Sequence, residues 1–244
     1  MTEITVDLPV PERALAIGAH PDDVEFGCGG TLAKWAAAGT VVHHLVCTDG
    51  SKGSWDPSAD TVELVAQRQE EQRAAALALG GSDDVVFCDW VDGELEAGLG
   101  QRSEVASWIR RLRPQVVLGH DPWKRYRLHP DHRAAGFLVT DAIVAARDPH
   151  FLTGLGLAPY RPSTLLLWEA DAPDHVEDIG DHLVAKVSAI MCHRSQYRST
   201  MEIEDPSSAV EVDRFRAKVA DRAAEHGRLA SLALGEQFKA VRRL

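Results

Sequence analysis

The chain has 244 residues, enough for one large domain with a sizeable core, and 45% of them are hydrophobic while 26% are charged. A formal net charge of −11 argues against general binding to nucleic acids or to anionic membranes, which attract basic proteins. The longest apolar stretches, such as Ala14 to Ala19, are far too short to span a bilayer. Without a secretory signal pattern, and with four cysteines that lack CxxC spacing, the sequence predicts a cytoplasmic protein with reduced thiols.

Short apolar runs alternate with amphipathic stretches along the chain. The predicted strands are Ala14–Ala19, Val41–Thr48, Val85–Asp89, Gln115–His120 and Thr164–Glu169. The predicted helices are Gly30–Ala38, Val62–Leu79, Ser103–Leu112, Asp131–Ala146, Asp181–Met191 and a closing helix from Ser207 onward. Strands separated by helices imply right-handed crossovers and a mostly parallel sheet. The sequence therefore predicts one α/β domain over residues 1–244, a doubly wound, Rossmann-like sheet with helices on both faces.

Polar residues follow the predicted strands, where ligands bind in such folds. The first strand runs into His-Pro-Asp-Asp at residues 20–23, and the fourth is followed by His-Pro-Asp-His at residues 129–132. One His-Pro-Asp is usually a turn with a capping aspartate. Two of them, each after a strand and each with a further acid or histidine, favour a metal site. His20 and Asp23 would come from one stiff turn, and His132 from the first turn of a helix that Pro130 opens.

With these motifs, AHPDD and HPDH, the chain resembles the PIG-L/LmbE-type de-N-acetylases. That family includes N-acetylglucosaminyl-phosphatidylinositol deacetylases and the deacetylases and amidases of mycothiol and bacillithiol metabolism. The resemblance implies that His20, Asp23 and His132 bind zinc. It further implies that Asp22 is the general base, that His129 is the second catalytic residue and that Asp131 orients an imidazole.

Two imidazoles and one carboxylate leave an open position for water, the arrangement expected of catalytic zinc. Such a metal makes hydroxide available near neutral pH. Fe²⁺ also suits this donor set. Some family members have a tyrosine two residues before the second motif, where this chain has Arg127, next to Tyr126.

Five further residues are candidates for substrate contacts: Arg68, Asp92, Trp123, Arg127 and His193. Arg68 and Asp92 could instead form a structural ion pair with each other. Trp123 could stack on a sugar face. For a lone histidine such as His193, packing is the usual explanation.

The leading interpretation is hydrolysis of an N-acyl group, most simply acetyl, from an amino sugar or its conjugate. Two alternatives stay open: an amidase of mycothiol-type thiol conjugates, and a non-catalytic sugar- or nucleotide-binding module on the same fold. The expected partner is a small molecule, without nucleic acid or membrane insertion; a homo-oligomer is left open. A bacterial thiol-cofactor or natural-product pathway suits such a protein by analogy.

Overall fold

The computed structural model describes residues 4–244. Eight strands form one sheet in the order β1-β7-β8-β6-β5-β2-β3-β4. The strands are β1 Thr5–Val6, β2 Arg13–Gly18, β3 Val41–Thr48, β4 Val86–Trp90, β5 Val116–His120, β6 Thr164–Trp168, β7 His175–Asp178 and β8 Gly235–Arg242. The helices are α1 Asp23–Ala37, α2 Thr61–Ala78, α3 Leu99–Leu112, α4 Pro130–Arg147, α5 Leu183–Ile190 and α6 Ala209–Arg228.

The five predicted strands correspond to β2–β6, and these pair in parallel throughout. The mostly parallel α/β fold is therefore confirmed. β8 is the exception, because it runs antiparallel to both of its neighbours, β6 and β7.

Three strands were not predicted. β1 and β7 have two and four residues, too short to show a periodic pattern. The prediction of a helix from Ser207 onward was wrong beyond Arg228, where α6 ends and the chain returns as β8. In β8 buried residues alternate with half-buried polar ones, such as Gln237 and Lys239, so it has no continuous apolar run.

The first helix begins at Asp23, seven residues earlier than predicted, and it contains a kink at Cys28, where φ is −148°. A side chain at Gly27 could not be accommodated, because its Cβ would lie 2.6 Å from the ring of Trp168. The glycine-rich segment that begins at Gly27 therefore lets α1 pass close to the sheet.

Consecutive residues of β2 point to opposite faces of the sheet and pack into two different hydrophobic clusters, as the two-residue period of a strand requires. Leu15 and Ile17 belong to a cluster with residues of α3 and α4. Ala14 and Ala16 belong to a cluster with residues of α1 and α2. Both faces of the sheet are thus covered, which explains why its central strands are mostly apolar.

The chain builds β2, β3 and β4 outward and then returns to place β5 on the other side of β2. The carboxyl ends of β2 and β5 therefore diverge at a topological switch point, the usual ligand position in open α/β sheets. The loops after β2, β4 and β5 meet there.

The four cysteines are free; Cys28 and Cys47 are buried, whereas Cys88 and Cys192 are only half-buried. Among residues 4–244, no helix combines the length and the apolar character needed to cross a membrane.

Candidate active site

The turn after β2 and the start of α4 bring together the three residues predicted as metal ligands. Nδ1 of His20 lies 3.4 Å from Oδ2 of Asp23, and Nε2 of His132 lies 3.3 Å from Oδ1 of the same aspartate. One donor atom from each residue lies within 4.8 Å of the other two. The backbone N–H of His20 donates to Oδ2 of Asp23 at 2.7 Å, so the turn holds its own carboxylate in place. Two imidazoles and a carboxylate so arranged fit a divalent metal ion such as zinc.

The far nitrogen of His20 faces two carboxylates. Nε2 lies 3.1 Å from Oδ2 of Asp131 and 3.2 Å from Oδ1 of Asp92. A carboxylate only accepts, so Nε2 carries a proton and donates to these groups, and Nδ1 is the nitrogen on the side of Asp23. This is the pattern in which an outer carboxylate fixes the tautomer of a metal-binding histidine.

The side chain of Asp131 is completely buried and also receives the backbone N–H groups of Gly93 and Leu95. The loop after β4 is thereby tied to the first turn of α4.

Asp22 lies between β2 and α1 and has a left-handed backbone, with φ at 105°. Its N–H donates to the side-chain oxygen of Gln72 at 3.0 Å, and its carboxylate lies 3.6 Å from Nη2 of Arg68. Burial raises the pKa of Asp22 to about 6, although the charge of Arg68 opposes the shift. A carboxylate with that pKa suits proton transfer near neutral pH.

His129 is the N-cap residue of α4, and its Nδ1 accepts the backbone N–H of Asp131 at 3.3 Å. Nδ1 is therefore unprotonated and Nε2 carries the proton of the neutral ring. Burial and the neighbouring His20 lower the pKa of His129, which keeps the ring neutral. Its ring stacks on that of His132 with centroids 4.7 Å apart.

The electrostatics of the site favour a cation at its centre. Burial alone would raise the pKa of Asp23. The nearby imidazoles of His132 and His120 lower it by more, so the pKa of Asp23 lies well below its usual range. Burial lowers the pKa of His132 to about 4. Burial would also lower the pKa of His20, but Asp131, Asp23 and Asp92 raise it strongly.

Two of the residues predicted to contact substrate, Arg68 and Asp92, lie at the site but do not pair with each other. Arg68 donates to the carbonyls of Pro21 and Gly50, and Asp92 faces His20, so these two have different partners rather than each other. Both still line the cavity described below.

Trp123 is 61% exposed and packs edge-on against Phe137, and within residues 4–244 it is not among the cavity-lining side chains. His193 is fully buried, with Nε2 3.2 Å from Oε2 of Glu25. His193 is thus enclosed by its neighbours, and among the described residues it does not belong to the lining of the cavity. Glu25 raises its pKa against the effect of burial.

Arg127 is buried, and its Nη1 lies 2.9 Å from Oε2 of Glu169, 3.1 Å from Nδ1 of His120 and 3.4 Å from Nδ1 of His132. Those three partners form a further group with metal-ligand spacing. The guanidinium is thus the cation that this group surrounds. The guanidinium of Arg127 is therefore already bound to these three side chains, and a substrate would have to compete with them for it.

Sequence reasoning missed His120 and Glu169. His120 ends β5, with its Nε2 only 3.2 Å from Oδ2 of Asp23, and Glu169 follows β6. The rule that polar residues after parallel strands gather at one edge could have found both.

The site opens into a cavity of about 770 Å³. Its inner wall carries six residues of the two His-Pro-Asp motifs, and its outer wall is formed by the loop after β3 and by α6. The motif residues are His20, Asp22, Asp23, His129, Pro130 and His132. Residues of the outer wall are Trp55, Phe215, Lys218, Val219, Arg222 and His226.

A model of the family described as GlcNAc-PI de-N-acetylase, PIG-L, matches residues 15–143. The chain is 36% identical over 189 residues to a diacetylchitobiose deacetylase of Thermococcus kodakarensis, covering 76% of this chain and 70% of the relative. It is 30% identical over 245 residues to a 1D-myo-inositol 2-acetamido-2-deoxy-alpha-D-glucopyranoside deacetylase of Segniliparus rotundus, covering 75% of this chain and 77% of that one.

The structure resembles that of N,N'-diacetylchitobiose deacetylase from Pyrococcus horikoshii, with a TM-score of 0.85 and 30% identity. The match covers 95% of this chain and 84% of the other. The fold and the site thus define an α/β hydrolytic enzyme of the deacetylase class. The chain belongs to the PIG-L family of de-N-acetylases.

Proposed function

We propose that this protein removes the N-acetyl group from an amino sugar or a small amino-sugar conjugate, using a zinc ion held by His20, Asp23 and His132. The observation that carries the proposal is the convergence of one donor atom from each of these three residues within 4.8 Å. Nε2 of His20 is turned to Asp131 and Asp92, so Nδ1 is the nitrogen that lies beside Asp23. Fe²⁺ suits the same donors, and metal analysis of protein isolated from cells distinguishes the two ions.

The bound metal would supply an activated water and polarise the amide carbonyl. Asp22 takes up a proton from the attacking water and delivers it to the leaving amine. Its pKa near 6 supports both steps, because the group exchanges protons readily at neutral pH. Arg68 lies beside this carboxylate, and Gln72 accepts the backbone N–H of Asp22.

His129 donates from Nε2 to the oxygen on which negative charge develops. Its Nδ1 is occupied by the backbone of α4, so the donor direction is set before substrate arrives. Removal of such a donor typically lowers the rate by about 10²–10³-fold.

The names of the relatives support an acetylated amino sugar as the substrate class. A cavity of about 770 Å³ has room for a substrate larger than a single monosaccharide. Cytoplasmic location, a role in a thiol-cofactor or natural-product pathway, and assembly into a homo-oligomer stay predictions.

The test uses zinc-loaded protein with N-acetylglucosamine, diacetylchitobiose and an N-acetylglucosaminyl inositol. Acetate should appear with at least one substrate and stop when a chelator removes the metal. Mass analysis identifies the acid released, and an acid larger than acetate would instead indicate amidase action on a conjugate. Binding of these sugars without any cleavage would favour a non-catalytic module and end the enzyme proposal.

Asp22→Asn provides the matched variant, because it keeps the size of the side chain but removes the base. The variant should retain its zinc and lose about 10²–10⁴-fold in turnover. Unchanged turnover would remove Asp22 from the proposed role.

A further inference from the structure

His120 is a buried histidine at the end of β5 whose two nitrogens have different surroundings. Its Nδ1 lies 3.0 Å from the indole Nε1 of Trp168 and 3.1 Å from Nη1 of Arg127. Indole and guanidinium nitrogens only donate. Nδ1 must therefore be the unprotonated, accepting nitrogen, and the proton of the neutral ring resides on Nε2.

The protonated nitrogen points at the metal-binding carboxylate. Nε2 of His120 lies 3.2 Å from Oδ2 of Asp23, the same oxygen that accepts the backbone N–H of His20. In the described part of the chain, Nε2 has no hydrogen bond of standard geometry, so the contact with Asp23 is that of an N–H dipole beside a carboxylate.

From this geometry we infer that His120 is a positioning residue for the metal site. Trp168 and Arg127 fix its tautomer, and the resulting Nε2–H holds Oδ2 of Asp23. The inference deepens the proposed function and rests on its assignment of Asp23 as a metal ligand.

The arrangement also separates His120 from the ligand set. A histidine binds metal through an unprotonated nitrogen, and here the nitrogen that faces the site carries the proton. His120 thus serves Asp23 in the way that Asp131 serves His20, with the donor and acceptor roles reversed. Outer partners of this kind typically contribute about 10–100-fold to metal affinity or activity.

The first measurement is the nitrogen NMR spectrum of ¹⁵N-histidine-labelled protein, with and without zinc, assigned with a His120 variant. His120 should show a protonated Nε2 and an unprotonated Nδ1 in both states. A protonated Nδ1, or loss of the Nε2 proton on addition of zinc, would overturn the inference and make His120 a ligand. This measurement uses the unaltered protein and does not depend on how well a variant folds.

The second measurement is zinc affinity by competition with a chelator in His120→Met and His120→Gln. Methionine has no donor, whereas the amide nitrogen of glutamine can occupy the place of Nε2. His120→Met should bind zinc about 10–100-fold more weakly, and His120→Gln should recover most of the loss. Equal affinity of both variants and of the unaltered protein would contradict the inference.

His150→Met serves as the control, because His150 is exposed on the surface and the variant should leave zinc affinity unchanged. Neither measurement depends on turnover. If His120 has the predicted tautomer and the variants have the predicted zinc affinities, but no acetate is released, the proposed function is wrong and the inference about His120 stands.

Discussion

The side-chain oxygen of Gln72 accepts the backbone N–H of Asp22 at 3.0 Å, across the contact between α2 and the turn after β2. The amide nitrogen of Gln72 donates to Oε1 of Glu25 at 2.7 Å, which fixes the orientation of the amide. Asp22 has a φ of 105°, a conformation that is costly for a residue other than glycine and persists only where its surroundings hold it. Gln72 is therefore one of the groups that hold the proposed base in its strained conformation.

Gln72→Met should lower the free energy of unfolding by about 1–3 kcal/mol, because the Asp22 N–H and a Glu25 oxygen lose their partner. It should also lower kcat more than it raises KM, since the base moves and the sugar contacts remain. Gln69→Met on the outer side of α2 is the control, where only a contact to the exposed Asp89 is lost. Denaturant unfolding and steady-state kinetics measure both effects, and a change in KM alone would contradict the role.

Gly53→Ala should impair the site through Arg68. A Cβ at this position would lie 2.1 Å from Nη1 of Arg68, and that guanidinium is buried and hydrogen-bonded to the carbonyls of Pro21 and Gly50. Its displacement removes the positive charge beside Asp22, and we expect kcat/KM to fall on the order of 10²-fold.

Gly100→Ala in α3 is the matched control, because nothing lies within 4 Å of its added Cβ. That variant should keep full activity and gain up to about 1 kcal/mol in stability. Equal activity of the two alanine variants would show that the guanidinium has no part in catalysis.

Asp131→Asn should weaken zinc binding by about 10–100-fold, because Nε2 of His20 then loses the nearer of its two carboxylate partners and keeps only Asp92. The amide oxygen can still accept one of the backbone N–H groups of Gly93 and Leu95, so the fold should survive. Asp141→Asn, at an exposed position of the same helix, should bind zinc like the unaltered protein. Chelator competition and circular dichroism measure affinity and folding; unchanged affinity in Asp131→Asn would show that the charge of Asp131 does not support His20.

His226 should make the stability pH-dependent. Burial, with Arg222 and Lys186 nearby, lowers its pKa from 6.5 to about 4. Between pH 6.5 and about 4 the imidazole is protonated in the unfolded chain but neutral in the folded protein. The free energy of unfolding therefore falls as the pH is lowered through this range. Relative to His226→Gln, which cannot titrate, the unaltered protein should lose stability from about pH 6.5 down to about 4. Parallel stability curves for the two proteins would refute the shift.

The sequence was informative where residues follow a spacing rule. His20, Asp23 and His132 were predicted from two motifs placed after strands, and the structure brings their donor atoms within 4.8 Å. His120 and Glu169 were missed, because each is a single polar residue at a strand end and nothing local marks its direction. Their importance depends on strand order, which sets β5 between β2 and β6.

Side-chain direction limited the other interpretations. Trp123 and His193 have the residue types of a sugar site, but one points outward and the other is enclosed beside Glu25. Strand β8 escaped prediction because its polar residues alternate with buried ones. Its position also depends on partners far away in the chain.

The last strand of the chain lies inside the sheet, between β6 and β7, and β1 is attached only through β7. During synthesis from the amino terminus, β2–β6 can therefore assemble early, while β1 and β7 wait for residues 235–242 to emerge. Glu236 of this strand also receives the Gly30 and Thr31 N–H groups just beyond the kink of α1. A nascent chain without β8 would lack these contacts to α1, the helix that follows the turn of His20 and Asp22. Hydrolytic competence should therefore arise only after residues 235–242 have been synthesised.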